Sequence, residues 1–284
     1  MRNSPYAFLT SKERDNESSL DFFGARYFSG SQGRFTSPDP VTVTPVRMLD
    51  PQMFNLYCYT RNNPLKYIDP DGRDLFLVNK DEEGRRRALL SITPNLTTTE
   101  QKNIGYRKNA SDEYEVYVKD AKAIDPEKSS PAYRYLSGLI NDHSISINYG
   151  FLSPGHPATD FNGREASVES MRLDDYFGGG VTASKGNGIV DVFVQKHSSP
   201  LSVKGLTRSG RDIAIMQTDN IIVAHELFGE TFQYRSGNQY LLTNETMRNQ
   251  TIIKIENEIR QFLGLPLRSG KDHGLGPATT VNVK

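Results

Sequence analysis

Two neighbouring stretches constrain this chain most, 219–233 (DNIIVAHELFGETFQ) and 244–263 (NETMRNQTIIKIENEIRQFL). Both place apolar residues at helical spacing, and both set an ionisable residue inside the apolar face. In the first, Ile221, Ile222, Phe228, Gly229 and Phe232 gather on one side, with His225 among them and Glu226 and Glu230 together on the rim. Asp219 or Asn220 is the expected cap, and Ser236-Gly237-Asn238 the stop. In the second, Ile252, Ile255, Ile259 and Leu263 form the stripe before the terminator Gly264-Leu265-Pro266. Glu256 falls within that stripe, Glu245 lies on nearly the same line, Asn249 sits beside them, and Glu258 points to solvent. A carboxylate on an apolar face is costly unless it is paired or ligating. The simplest joint account is that the two faces meet around a common site. The alternative is a buried Glu256 bonded to Arg260, His225 or backbone. An imidazole aimed inward beside carboxylates suits a metal site or an acid–base site.

The spacing in His225-Glu226-Leu227-Phe228-Gly229-Glu230 is one residue off the H-E-x-x-H helix of zinc proteases. In that helix two histidines at i and i+4 face one ion and the Glu activates water. Gly229 cannot ligate. The stretch resembles the longer H-E-x-x-G-H motif of the dipeptidyl peptidase III type, with Glu230 where the last His would stand. An ideal helix points i and i+5 about 140° apart. A π-bulge would bring His225 and Glu230 together, and Gly229 would ease that distortion. The resemblance implies His225 and Glu230 as metal ligands, Glu226 as the catalytic base, and Glu256 or Glu245 completing the site. The ion would be zinc, or Mn²⁺ because a lone imidazole among carboxylates suits a harder metal.

Lys plus Arg and Asp plus Glu number 34 each, so bulk charge gives no support for a nucleic-acid partner. The single cysteine, Cys58, excludes an intramolecular disulfide framework. No apolar run approaches the length of a membrane span, and the N-terminus lacks the apolar core of a signal peptide. Two domains are the natural prior for 284 residues, and 14 Phe with 14 Tyr suffice for a core.

Residues 1–72 are short alternating runs between turns: LDFFGARYFS and GRFTSPDP around Gly30-Ser31-Gln32-Gly33, then NLYCYTRNNPLKYIDPDG. Asp21-Phe22-Phe23-Gly24-Ala25-Arg26-Tyr27-Phe28, Gly33-Arg34-Phe35-Thr36-Ser37-Pro38-Asp39-Pro40, Asn62-Asn63-Pro64 and Asp69-Pro70-Asp71-Gly72 closely resemble the C-terminal end of the RHS/YD-repeat core. The resemblance covers roughly residues 16–72. It implies a fragment of a large β-shell that encloses a variable C-terminal toxin. The chain would then be secreted or cell-surface as part of a larger exported chain, with an upstream RHS shell and an immunity protein as partners. It also implies self-cleavage by the aspartates of the Asp-Pro motifs, Asp39, Asp69 and Asp71; two Asp-Pro turns without catalysis are the alternative.

After Gly72 the composition changes, which places a domain boundary at 72/73. DLFLVN, EYEVYVKD, ISINYGF and GIVDVFVQK read as strands; DEEGRRRALLSI and Pro131–Asn141 read as helices. TPNLTTTEQK reads as a turn, Leu152–Phe161 as a loop with an exposed His156, and Gly178-Gly179-Gly180 as a flexible loop beside a cleft. The run Arg85-Arg86-Arg87 is expected to be solvated. Together with the strands before Gly72 this is an α+β chain. Residues 178–275 resemble the metallopeptidase domains at the ends of RHS proteins, through His225-Glu226, Glu256-Asn257, Arg260, Gly264-Leu265-Pro266 and Arg268. The resemblance implies a zincin-like domain with a motif helix and a second, ligand-bearing helix, acting on a protein or peptide. In zincins an edge strand before the motif helix pairs with substrate, a role open here to Val190–Val194, which otherwise form an ordinary core strand. His273 is a further candidate ligand or substrate contact, or an exposed tail residue. Competing readings are a degenerate, non-catalytic binding or contact domain and, more weakly, a nuclease.

Overall fold

The near-continuous apolar runs at 146–152 and 189–195 become adjacent parallel strands at the centre of a mixed sheet, as expected of strands buried on both faces. The computed structural model describes residues 13–15, 17–22, 26–38, 55–57, 75–109, 112–120, 122–125, 127–140, 145–173, 178–186, 188–197, 201–206, 211–236 and 244–269. Helices and strands both contribute heavily, and the chain is α+β.

Residues 13–35 form an antiparallel sheet of four short strands in chain order: β1 (Glu13–Asp15), β2 (Leu20–Phe22), β3 (Tyr27–Ser29) and β4 (Arg34–Phe35). The expected strand 20–29 is thus two strands. Gly33, at φ 65°, closes the turn after β3 with its N–H on the Ser29 carbonyl, 2.8 Å. The sheet buries little: Phe35 packs edge-on against Phe28 and lies under the Arg26 guanidinium, 3.7 Å from the ring centroid. Asp39, Asp69 and Asp71, the 72/73 boundary and His273 lie outside the described residues.

From residue 75 the elements are β5 (Leu75–Leu77), α1 (Glu82–Ile92), α2 (Thr98–Asn103), β6 (Ile104–Lys108), β7 (Tyr114–Val118), α3 (Pro131–Ile140), β8 (Ser146–Leu152), β9 (Ala158–Thr159), β10 (Glu165–Ala166), α4 (Val168–Met171), β11 (Gly180–Gly186), β12 (Ile189–Gln195), β13 (Leu201–Leu206) and β14 (Asp212–Gln217). There follow α5 (Asp219–Val223), a π-helix (Ala224–Glu230), α6 (Thr231–Ser236), α7 (Glu245–Phe262) and β15 (Leu267–Arg268). The main sheet has the order β11-β12-β8-β5-β7-β6. β5, β8 and β12 are parallel, while β11, β7 and β6 run antiparallel to their neighbours. A second sheet, β14-β13-β15, carries the chain from β12 to the helices.

The principal core joins Leu75, Ile92, Leu136, Ile147, Val192, Leu227, Phe228 and Ile255, so α1, α3, the π-helix and α7 share one apolar layer with the sheet. A smaller cluster around Leu152, Leu173 and Phe193 includes Ala158 and Ala166 of the β9–β10 hairpin. Several local expectations are corrected. TTTEQK is a helix, capped reciprocally by Thr97 and Glu100. Arg85 is not solvated: it is buried, its guanidinium donates to the Asn79 and Lys80 carbonyls, and it covers the Tyr114 ring. His156 is mostly buried and bonds Asp81 through Nδ1 at 2.9 Å. Glu258 accepts the Tyr135 hydroxyl at 2.6 Å.

Candidate functional site

The segment 219–236 is one continuous helical path with a π-helical middle. The H-E-x-x-G-E spacing calls for such a bulge, and the π-helix spans the whole motif. Thr218 is the N-cap rather than Asp219. Asp219 instead accepts from His197, ring Nδ1 at 3.0 Å and backbone N at 3.3 Å. Gly229 allows α7 to approach: a Cβ there would lie 2.7 Å from Ile252 Cγ2. Replacing Gly229 by Val should therefore force the two helices apart and destabilise the chain by about 1–3 kcal/mol, read as a lower urea midpoint.

The two apolar faces do meet. Glu256, fully buried on α7, accepts a hydrogen bond from His225 Nδ1 at 2.9 Å. Its other oxygen accepts from Arg260 Nε at 2.6 Å, and Arg268 Nη1 reaches the first at 2.9 Å. Arg268 Nη1 also lies 3.2 Å from His225 Nδ1. A ring nitrogen donating to a carboxylate cannot accept from a guanidinium as well, so Glu256 is the acceptor for both. Burial opposes charge on Glu256, but the His225 bond and the charges of His225, Arg268 and Arg260 hold its carboxyl well below the usual range. Burial likewise works against a charged His225, and Glu256 overrides it, raising the imidazole pKa.

The residues that set this arrangement follow one another along the chain. Gly264, at φ 70°, ends α7, and the Leu265 N–H returns to the Arg260 carbonyl at 2.8 Å. The chain then folds back as β15, which pairs with β13. Asn257 clamps the Arg268 backbone, donating to its carbonyl at 3.0 Å and accepting its N–H at 2.8 Å. Arg260 also reaches the Gln217 side chain at the end of β14. Asn257 thus places Arg268, Arg268 and Arg260 hold Glu256, and Glu256 orients His225.

His225, Glu226 and Glu230 border one cavity of about 380 Å³. Glu256 lies behind His225 and does not line it. Glu245, the first residue of α7, is exposed and outside the lining. Of the five motif candidates, the structure therefore brings three to the cavity and puts Glu256 in support. Among the described residues, no three His, Cys, Asp or Glu side chains are gathered closely enough to enclose a metal ion.

The cavity wall beside Glu226 is β11. Of the two readings open to Val190–Val194, the ordinary core strand is the one found: β12 is interior, between β11 and β8, and β11 is the edge. Gly180 and Thr182, two residues apart, face the same side of the strand. A Cβ at Gly180 would sit 2.4 Å from Glu226 Cγ, so the backbone of the strand abuts the carboxylate-bearing chain. Thr182 Oγ1 donates to Glu226 Oε2 at 2.7 Å. Burial pushes the Glu226 carboxyl up to about 7, against the pull of His225 and with the help of Glu230. Burial also raises Glu230, which accepts from Gln233 at 2.6 Å. A buried carboxyl poised near neutrality is suited to taking a proton from water or returning one to a leaving group.

The chain matches no family model, no curated protein and no solved structure. No helix among the described residues is long and apolar enough to cross a membrane.

Proposed function

We propose that the region from residue 73 is a metal-dependent peptide hydrolase carried as the toxin tip of an RHS-type exported protein, with Glu226 as its catalytic base. The observation that carries the reading is Glu226 itself, a buried carboxyl with its pKa at about 7 beside His225, bordering the cavity and held against the antiparallel edge strand β11 by Thr182. An edge strand is open to a further strand, and an extended peptide laid along β11 would bring its carbonyls to Glu226. Glu226 would take a proton from the attacking water, Thr182 would fix the carboxylate, and Glu226 would then pass the proton to the leaving amine.

The side chains present fit a metal held at two points. His225, aligned by Glu256 through Nδ1, would offer Nε2, and Glu230 would offer its carboxylate. A bound ion would supply Lewis acidity toward the scissile carbonyl. Both Glu256 oxygens are already engaged by His225, Arg260 and Arg268, so Glu256 serves as a positioning residue. One imidazole and one carboxylate make a weak site, open to zinc and Mn²⁺ alike. Titrating either ion into the full chain should raise the melting temperature by mass action, and Glu230→His should strengthen zinc binding about tenfold or more. No shift of the native chain with either ion, or a shift that survives His225→Ala, would remove this metal site from the proposal.

The second reading is a non-catalytic binding or contact domain. It is favoured by Glu230 standing where a second His is expected and by the closed bonding of Glu256. Peptide cleavage by the native chain that Glu226→Gln abolishes decides for the hydrolase.

A further inference from the structure

The cavity beside Glu226 is bordered by two arginines, Arg268 and Arg248. Arg268 is committed to Glu256. Arg248 is not committed. It lies one turn into α7, half-buried, and among the described residues its guanidinium forms no ion pair or hydrogen bond. The nearer pocket carboxylate, Glu230, is bonded through Oε2 to Gln233 and feels Arg248 only as a charge at a distance. A half-buried guanidinium gains from a charged partner, and its planar fork matches a carboxylate at two points. The partner it lacks among the described residues can come from the molecule in the cavity.

We propose that Arg248 is a specificity-determining residue that selects a peptide carboxylate, so that the cavity takes an acidic segment in preference to a neutral or basic one. The proposal rests on the peptide-hydrolase reading for the class of ligand, and on the position of Arg248 for its charge. Two sources share this chemistry, an Asp or Glu side chain near the scissile bond and a free C-terminal carboxylate.

The test uses the full chain carrying Glu226→Gln, so that bound peptide persists. It uses fluorescent peptides of one apolar sequence in four forms: an internal Glu with an amidated end, a neutral peptide with a free carboxylate, a neutral amidated peptide, and an internal Lys with an amidated end. At least one of the first two should bind about tenfold more tightly than the neutral amidated form. Whichever does so identifies the source of the carboxylate. Arg248→Gln should erase the difference, and Arg248→Glu should shift preference to the Lys peptide, with circular dichroism reporting that both variants fold. Equal binding of all forms, no binding, or a preference that survives Arg248→Gln overturns the proposal. In the chain that keeps Arg248, absence of that ranking overturns the proposal even without the variants. Cleavage of the same peptides by the native chain separates the two ideas. Cleavage without charge preference sinks the role of Arg248 and keeps the hydrolase, whereas charge-selective binding without cleavage keeps Arg248 and sinks the hydrolase.

Discussion

Replacing Glu226 by Gln should lower peptide hydrolysis by about a thousandfold, the scale of losing a general base, while making the metal-free chain more stable at alkaline pH. The two effects have one origin. Burial raises the Glu226 carboxyl from 4.5 to about 7 because charge is disfavoured beside β11 and Glu230. A raised pKa contributes stability that is fully present below the ordinary carboxyl value and is lost as pH rises through about 7. Above that pH the native chain carries an ionised Glu226 at a cost on the order of 3 kcal/mol. Glutamine keeps the shape, can still accept from Thr182, and never ionises. Melting curves should therefore coincide near about pH 4 and separate near about pH 8 with the variant higher. A structural glutamate that contributed only through its charged form would give the opposite order at the higher pH. Lost activity with a melting temperature that falls at alkaline pH would count against Glu226 as a strained base.

Much of the site could be read from spacing, and the reason is geometric. His225 and Glu230, five residues apart, cannot share a side of a regular α-helix, so the motif demanded a distortion, and Gly229 marked where it could occur. The helix expected over 244–263 is α7, with Asn244 as its cap, accepting the Met247 N–H at 3.0 Å. Glu256 inside an apolar stripe demanded a partner, and His225 and Arg260 were nameable from the same helical lines. The strands β5, β7, β8 and β12 carry enough apolar or alternating residues to declare themselves.

The parts that escaped notice lack that kind of signal. β11 (GVTASKG) shows little apolar alternation, because Gly180 and Thr182 on one side meet Glu226 instead of a greasy neighbour. A strand facing a polar cavity is selected for small and hydrogen-bonding residues, so its pattern looks like a loop. The hairpin of β13 and β14 buries Val203 opposite Ile215, a cross-strand pairing that neither strand's own pattern declares. Thr97-x-x-Glu100 did carry a capping box, a signal that was present and outweighed by the turn-like TPN before it. The return of Arg268 to Glu256 depends on a chain reversal at Gly264 and a strand pairing with β13, neither of which local periodicity encodes. Arg248 reads as an ordinary surface cation until the orientation of α7 places it at the cavity.

The largest loss of stability should come from Glu256→Gln. The native carboxylate neutralises Arg260, Arg268 and a His225 whose pKa it raises, all within the buried space between the π-helix, α7 and β15. Glutamine keeps the volume but leaves those cations facing one another with their desolvation uncompensated, which costs about 3–5 kcal/mol. For a chain of this size that corresponds to a fall of roughly 10 °C in melting temperature. The sign of the pH dependence follows from the carboxyl being held low: its contribution is complete above the ordinary range near 4.5 and disappears as pH falls toward the depressed value. The variant should accordingly differ from the native chain at neutral pH and approach it in acid. Its His225 should titrate at lower pH by NMR, since burial would then act without the carboxylate that opposes it. Adding Arg268→Met should recover part of the loss, because one stranded cation is removed with its partner already gone. These measurements are made without metal, and that choice separates the two roles open to Glu256. A positioning residue bonded to three cations is needed before any ion binds. A ligand would be missed only once metal is present, so a metal-free variant losing less than about 1 kcal/mol would return Glu256 to the ligand set and break the chain of contacts from Asn257 through Arg268 to His225.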